Sequence, residues 1–205
     1  MESGFARILQ KCLKVWHRAN KNTRRGSARN IAAHYDLGNE FFKLFLDQNM
    51  MYSSAIYQAH DDLSAASDRK LRRVCESLEL SAADHVVEIG SGWGGLACYA
   101  ATNYACKVTT ITISKEQYHE AKERAKRANV SHLVEVKLQD YRDVEGQFDK
   151  LISIEMIEAV GHQYLDTYFN KINSLLKPNG KAMICLLYTS PSPRDLSTSR
   201  MPSSA

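Results

Sequence analysis

Apolar and polar positions recur with two different periods along this chain, and the changes of period mark out its elements. Phe5, Ile8, Leu9, Cys12, Leu13 and Trp16 repeat at helical spacing, with Arg7, Lys11, Lys14 and Arg18 largely on the other side, which predicts a basic amphipathic helix. Residues 20–30 are polar and basic around Gly26 and read as a linker. Residues 31–57 are rich in aromatics, and the helical spacing of Phe41, Phe42 and Phe45 favours a core role over a ligand-lining one. Ser67 to Leu80 predicts a further amphipathic helix. Short apolar runs then alternate with helical patterns. Strands are predicted at 85–89, 107–113, 133–138, 149–154 and 181–186, with helices at 94–103, 115–128 and around 162–176. This alternation predicts an α/β fold, a parallel sheet with helices on both faces, whose ligands sit outside the carboxyl ends of the strands.

After Ile184 the pattern stops. Pro191, Pro193 and Pro202 fall in a Ser/Pro-rich end that reads as run-on into adapter or vector sequence, with a natural disordered tail as the alternative. The organisation expected is a basic helix and linker at 1–30, a domain at 31–184 whose sheet is incomplete after the fifth strand, and the tail at 185–205.

At 205 residues and 44% hydrophobic content, the chain is sized for one substantial core. No apolar run approaches the roughly 20 residues of a bilayer span, and no leader pattern is visible, so the expected location is the cytoplasm. The five cysteines (Cys12, Cys75, Cys98, Cys106, Cys185) are scattered and never in C-x-x-C, which points to reduced, packed thiols and to no metal site. A net charge of +4 conceals an asymmetry: residues 1–30 carry eight cations against Glu2, a net +7, leaving −3 for the rest. A basic arm on a slightly acidic domain suits a polyanion, either a membrane surface or nucleic acid. Its helix either lies in an anionic interface, with Phe5 and Trp16 dipping in, or packs on the domain; the pattern is compatible with both.

The candidate chemistry centres on Glu88-Ile-Gly90-Ser-Gly92-Trp-Gly94-Gly95, directly after Val86-Val87, which reads as a strand turning through bare backbone into a helix start. Gly90, Gly92 and Gly95 also satisfy the dinucleotide pattern G-x-G-x-x-G. That reading requires an acid at the end of the next strand, where the chain offers Thr112, Ser114 and Gln117 and no acid before Glu116. With an acid inside the first strand, the loop instead resembles motif I of class I S-adenosylmethionine methyltransferases.

Further segments make the resemblance narrower. His34 to Phe42, Met50 to Ile56, Val86 to Gly95, Thr112 to Gln117, Leu138 to Asp143 and Ser153 to Gly161 together resemble the cyclopropane-fatty-acyl-phospholipid synthases and related mycolic acid cyclopropane synthases, over about residues 20–184. The resemblance implies a Rossmann-like class I methyltransferase sheet. It places S-adenosylmethionine against Tyr52, Ser53, Glu88, Gly90, Gly92, Trp93, Gly94, Thr112, Gln117, Tyr141 and Ile154, with backbone N–H groups at Gly90 and Gly92 serving its amino-acid end. The implied reaction is transfer of the sulfonium methyl to a cis double bond of an unsaturated phospholipid acyl chain at a membrane surface, then proton loss and ring closure. Aromatic faces such as Tyr35 and Tyr52 would stabilise a transient carbocation by cation–π attraction, with buried packing the alternative role for Tyr35. The implied base is a bound bicarbonate, held partly by Glu158, which fits the motif better than Glu155, and by Ser54, where the family often has Cys. The family's polar residue at the end of strand five falls at or beyond Cys185. A relative that stops at a methyl-branched product, or a cofactor-binding piece without turnover, remains compatible. A nucleic-acid methyltransferase is disfavoured, because its Asn/Asp-Pro-Pro-Tyr type motif is absent where Glu155-Met-Ile-Glu158 stands. Peripheral attachment at the inner membrane surface follows from the lipid substrate and the basic arm.

Overall fold

The computed structural model describes residues 38–186. The helix expected from Phe5 to Trp16, Tyr35, and residues 187–205 lie outside these. The elements are α1 (Gly38–Lys43), α2 (Leu63–Ser77), β1 (His85–Ile89), α3 (Gly95–Tyr104), β2 (Lys107–Thr112), α4 (Lys115–Arg127), β3 (Val134–Leu138), β4 (Phe148–Ile154), α5 (Ile157–Val160), α6 (Leu165–Leu175) and β5 (Leu176–Cys185). Single 3-10 turns at Tyr141–Asp143 and His162–Tyr164 complete the list. The five strands form one sheet in the order β3-β2-β1-β4-β5, with every pairing parallel.

Strands covered on both faces need apolar residues at successive positions, and β1 supplies them with Val86-Val87. Val86 points to a cluster with Leu71, Val74, Leu96, Ala97 and Val108, under α2 and α3. Its neighbour Val87 points to the opposite face, where Phe148, Leu151, Tyr168, Ile172 and Leu175 pack beneath α6. The threonines of β2 are buried as well, Thr109 and Thr110 among them.

Several boundaries differ from the sequence expectation for identifiable reasons. Helix α2 begins at Leu63 rather than Ser67, because the Asp62 carboxylate accepts a hydrogen bond from Ala65 N and caps the first turn. The helix expected around 162–176 starts as a 3-10 turn and becomes α-helical only from Leu165. Strand β5 takes in residues 176–180 through a register irregularity that loops out Pro178-Asn179-Gly180, with Asn179 at φ 68°. Of the aromatic trio, Phe42 is core, its ring tilted against Trp93 at 4.9 Å, whereas Phe41 and Phe45 are 43% and 47% exposed. Helix α1 stops at Lys43, so Phe45 falls outside the helical register that was expected to bury it.

Because β1 lies between β2 and β4, the chain leaves the ends of β1 and β4 toward opposite faces. The crevice this opens beyond their carboxyl ends is where α/β sheets take ligands. Gly90 to Gly94 and Ile154 to Glu155 stand there.

Candidate functional site

The glycine turn is strapped to β2 before any ligand is considered. Gly90 N and Ser91 N both donate to Ile111 O, at 3.1 and 2.8 Å. The Gly90 N–H is therefore spent on the protein, a correction to its expected use toward the amino-acid end of a cofactor. Gly92 is different. It sits at φ 47°, a Cβ there would meet nothing within 4 Å, and its N–H has no partner among the described residues. Gly94 is the N-cap of α3 at φ 85° and supplies no capping side chain, so the first N–H groups of α3 face the turn uncapped. The bend is fixed by packing: a Cβ on Gly94 would lie 2.9 Å from both Ala121 Cα and Cβ on α4.

Around the turn, the expected residues have distinct situations. Glu88 is buried, accepts a hydrogen bond from its register partner Thr110, and is pushed up to about 8 by burial. Trp93 turns its ring away from the crevice into the Phe42 and Met50 cluster, its indole N–H donating to Asn39 Oδ1 at 2.7 Å. Only its backbone borders the turn. Thr112 and Gln117 are buried together, the threonine hydroxyl donating to Gln117 Oε1 at 2.8 Å. Tyr141 lies edge-on to Tyr168, its phenol pushed up by burial, and the Arg142 guanidinium carbon is 5.6 Å from its ring centre. Asp140 holds that guanidinium at 2.8 and 2.6 Å. Ile154 closes β4 opposite Cys185. Tyr52 is half exposed, edge-on to Phe42 at 5.3 Å, and the neighbouring Ser53 hydroxyl is buried with no hydrogen-bond partner among the described residues.

The two described residues expected to hold a bicarbonate, Glu158 and Ser54, differ in their surroundings. Glu158 lies exposed on α5, while both donors of Ser54 go elsewhere. Ser54 N and Ser54 Oγ each donate to Glu155 Oε1 at 2.9 Å, and Lys70 Nζ reaches the same oxygen at 2.9 Å. Lys70 and Glu155 form a buried ion pair, with side chains 4% and 11% exposed. Glu155 takes φ 50°, a left-handed conformation rare for glutamate, and its N–H donates to Cys185 O at 2.7 Å. Removing one partner of such a pair strands the other charge, so Lys70→Met is expected to cost roughly 3–5 kcal/mol, read as a lowered urea midpoint.

Two positioning residues were not anticipated. Lys70 stands on the apolar face of α2 between Ala66 and Val74, and a lone cation in an apolar stripe was the available signal. Arg124 ties α4 to both sides of the site, donating to Trp93 O at 3.0 Å and to Gln48 O at 2.9 Å. As one of many charges on its helix it gave no such signal. A cavity of about 460 Å³ opens beside the Ser54 network, lined by Ser54, Lys70, Ile56, Val74, Met183 and Ile184. Cys75, Cys98 and Cys106 are buried free thiols pushed up to about 12, 11 and 11 by burial, which keeps them protonated and inert.

The residues present fit S-adenosylmethionine. Open space over Gly92, uncapped N–H groups on α3 and an unpartnered Ser53 hydroxyl are what a ligand with a carboxylate and hydroxyls would use. They do not fit a bound bicarbonate in the same way, since the Ser54 donors that would hold it are taken by Glu155.

Comparison with known proteins gives a consistent picture. A family model described as mycolic acid cyclopropane synthetase matches residues 22–202. The cyclopropane-fatty-acyl-phospholipid synthase of Escherichia coli K12 is 46% identical over 156 residues, covering 76% of this chain and 39% of the relative. The tuberculostearic acid methyltransferase UfaA1 of Mycobacterium tuberculosis is 40% identical over 185 residues, covering 86% and 43%. The chain thus spans less than half the length of these curated relatives. Among solved structures, the mycolic acid cyclopropane synthase CmaA1 complexed with SAH and CTAB superposes with a TM-score of 0.73 at 28% identity, covering 77% of this chain and 55% of the other.

Proposed function

Because the chain belongs to the mycolic acid cyclopropane synthetase family, we propose that it binds S-adenosylmethionine and acts in converting the cis double bond of an unsaturated phospholipid acyl chain to a cyclopropane. The observation that carries this reading is the strapped turn at the β1/β4 crevice, open at Gly92 and leading into an uncapped α3.

Bound there, the cofactor supplies an electrophilic methyl on its sulfonium. The protein's work is positioning and exclusion of water, since an alkene is a weak, neutral nucleophile. The first turn of α3 and the Gly92 N–H would hold the carboxylate end; Thr112 and Gln117, already oriented on each other, would serve the ribose; Tyr141 would border the adenine. Glu88 lies beneath the turn, and Ser53 offers its free hydroxyl. The largely apolar open cavity beside Ser54 would receive an acyl chain, and the half-exposed Tyr52 ring, two residues before Ser54, would offer a face to a cation formed on that chain. No helix among the described residues is long and apolar enough to cross a membrane. Lipid is reached from the cytoplasmic surface, with the +7 arm of residues 1–30 as the element attracted to anionic headgroups.

The test is calorimetric titration of the 205-residue chain with S-adenosylmethionine and, separately, NADH, followed by incubation with vesicles of cis-unsaturated phospholipid. Binding of the sulfonium cofactor alone is expected, with acyl chains gaining one CH2 as a ring by mass spectrometry. NADH binding would overturn the reading. A methyl-branched product would keep the cofactor and replace the ring-forming step.

A further inference from the structure

We propose that the cavity between α2 and β5 takes a phospholipid by both of its parts, with Arg73 and Ser77 as the subsite for the anionic phosphodiester headgroup and the apolar lining for the attached chain. The inference rests on the lipid-modifying function proposed above and specifies its substrate.

Four residues of α2 line the cavity: Lys70, Arg73, Val74 and Ser77. Their spacing of i, i+3, i+4 and i+7 puts them on one face of the helix. That face is graded from inside to outside. Lys70 and Val74 are buried, at 3% and 5% exposure, whereas Arg73 and Ser77 are exposed. Most of the remaining lining is apolar, from Met183, Ile184 and Leu186 at the end of β5 and from Ile56. At about 460 Å³ the cavity falls within the range of roughly 300–1,000 Å³ usual for small-molecule sites.

The lining carries two charges, both positive, and no acid. Only one of them is matched. Lys70 Nζ is spent on Glu155 Oε1 at 2.9 Å. The Arg73 guanidinium has no hydrogen bond or ion pair with any described residue, and the Ser77 hydroxyl has none either. An unmatched guanidinium at the exposed edge of an apolar cavity complements a ligand that is apolar along its length and anionic at one end. The fork of a guanidinium matches the two non-bridging oxygens of a phosphodiester, and a serine hydroxyl one turn further along the helix is a second donor for the same group.

Neither part of such a ligand suffices alone. An exposed ion pair tightens binding by no more than about fivefold, so a free phosphodiester is held weakly at this edge. Each CH2 buried in the cavity contributes about fourfold, which makes the chain the main source of affinity and Arg73 the source of preference for an anionic head. Ser54, the residue after Ser53, lines the same cavity, so a chain anchored by its head at Arg73 extends toward the cofactor side of the molecule.

The experiment separates head from chain. The 205-residue chain is titrated calorimetrically with three probes, each used as a monomer: octanoyl lysophosphatidylglycerol, which has both parts; octyl glucoside, which has a chain of the same length and an uncharged head; and glycerophosphoglycerol, which is the head alone. S-adenosylhomocysteine is titrated in parallel. The lysophospholipid is expected to bind about fivefold tighter than octyl glucoside, and glycerophosphoglycerol to bind weakest of the three. Arg73→Gln is expected to bring the lysophospholipid down to the level of octyl glucoside, with octyl glucoside and S-adenosylhomocysteine binding as before. Arg73→Lys, which keeps the charge without the fork, is expected to retain part of the preference. Arg72→Gln removes an exposed cation that does not line the cavity and is expected to change nothing. Equal affinity of the wild-type chain for the lysophospholipid and octyl glucoside overturns the proposal. So does a loss in Arg72→Gln as large as that in Arg73→Gln, which would show a general surface field, or binding of glycerophosphoglycerol as tight as that of the lysophospholipid, which would show a free-anion site. Failure to bind S-adenosylhomocysteine overturns instead the function on which the inference rests, and is read in a separate titration.

Discussion

Gly92→Asp is expected to weaken S-adenosylmethionine binding at least 100-fold while leaving the melting temperature within a few degrees of wild type. The position accepts the residue locally. Aspartate enters the left-handed region more readily than most side chains, and at φ 47° the added Cβ meets nothing within 4 Å. On the proposed reading the ligand's carboxylate would meet the uncapped start of α3 in that open space, so the new carboxylate would occupy the site and repel its occupant. A 100-fold loss corresponds to about 2.7 kcal/mol of binding energy. The neighbouring Gly94→Ala separates binding from folding. Its Cβ falls 2.9 Å from the backbone of Ala121 at a φ of 85°, so α4 must move. A stability loss of roughly 2–4 kcal/mol follows, and calorimetry beside thermal melts distinguishes the two variants.

Replacing Glu88 by Gln is expected to stabilise the cofactor-free protein, and to do so increasingly as pH rises. Burial lifts the Glu88 carboxyl from 4.5 to about 8 in the folded chain. The neutral form is therefore favoured by folding. Its contribution is fully present below pH 4.5 and is lost as pH rises toward 8. Over that window, the difference amounts to roughly 5 kcal/mol of stability forfeited at alkaline pH. Glutamine keeps an oxygen for the Thr110 hydroxyl and carries no charge to bury. Urea titrations at pH 5 and pH 8.5 should show nearly equal wild-type and Glu88→Gln proteins at the lower pH and a gap of several kcal/mol at the higher. A gap of equal size at both values would show that charge burial is not the cause.

The central sheet and the glycine turn were legible because their signals are local. Successive apolar residues at Val86-Val87 state that both faces of the strand are covered, and closely spaced glycines state that the following turn leaves ordinary dihedrals. The Ser54, Lys70 and Glu155 assembly was not legible for the converse reason. Its partners are separated by 85 and 101 positions, and the motif drew attention to Glu158 rather than to Glu155. What brings Glu155 into the assembly is the left-handed backbone just past the end of β4, which no local pattern announces. Phe45 failed as core for a simpler reason: a periodicity assumes a helix that continues, and α1 ends at Lys43.

The segment from Gln48 to Ser54 has a consequence for how the molecule assembles. It contains almost no regular structure of its own and is held by groups that arrive much later in the chain: Asn49 Nδ2 donates to Asp68, Arg124 reaches Gln48 O, and Glu155 receives Ser54. Against α3 it is pressed so closely that a Cβ on Gly95 would lie 2.5 Å from Asn49 O. Contacts of such long sequence separation carry a loop-closure cost and can form only after the surfaces they join exist. The cradle is therefore the last part of the described fold to dock and the first to open, with exchange of the Met51 and Ser54 amides proceeding through local opening rather than global unfolding. A ligand that bridges the glycine turn and Ser53 would join early-folding and late-folding parts of the chain, converting the loosest seam of the apo protein into part of its cooperative unit.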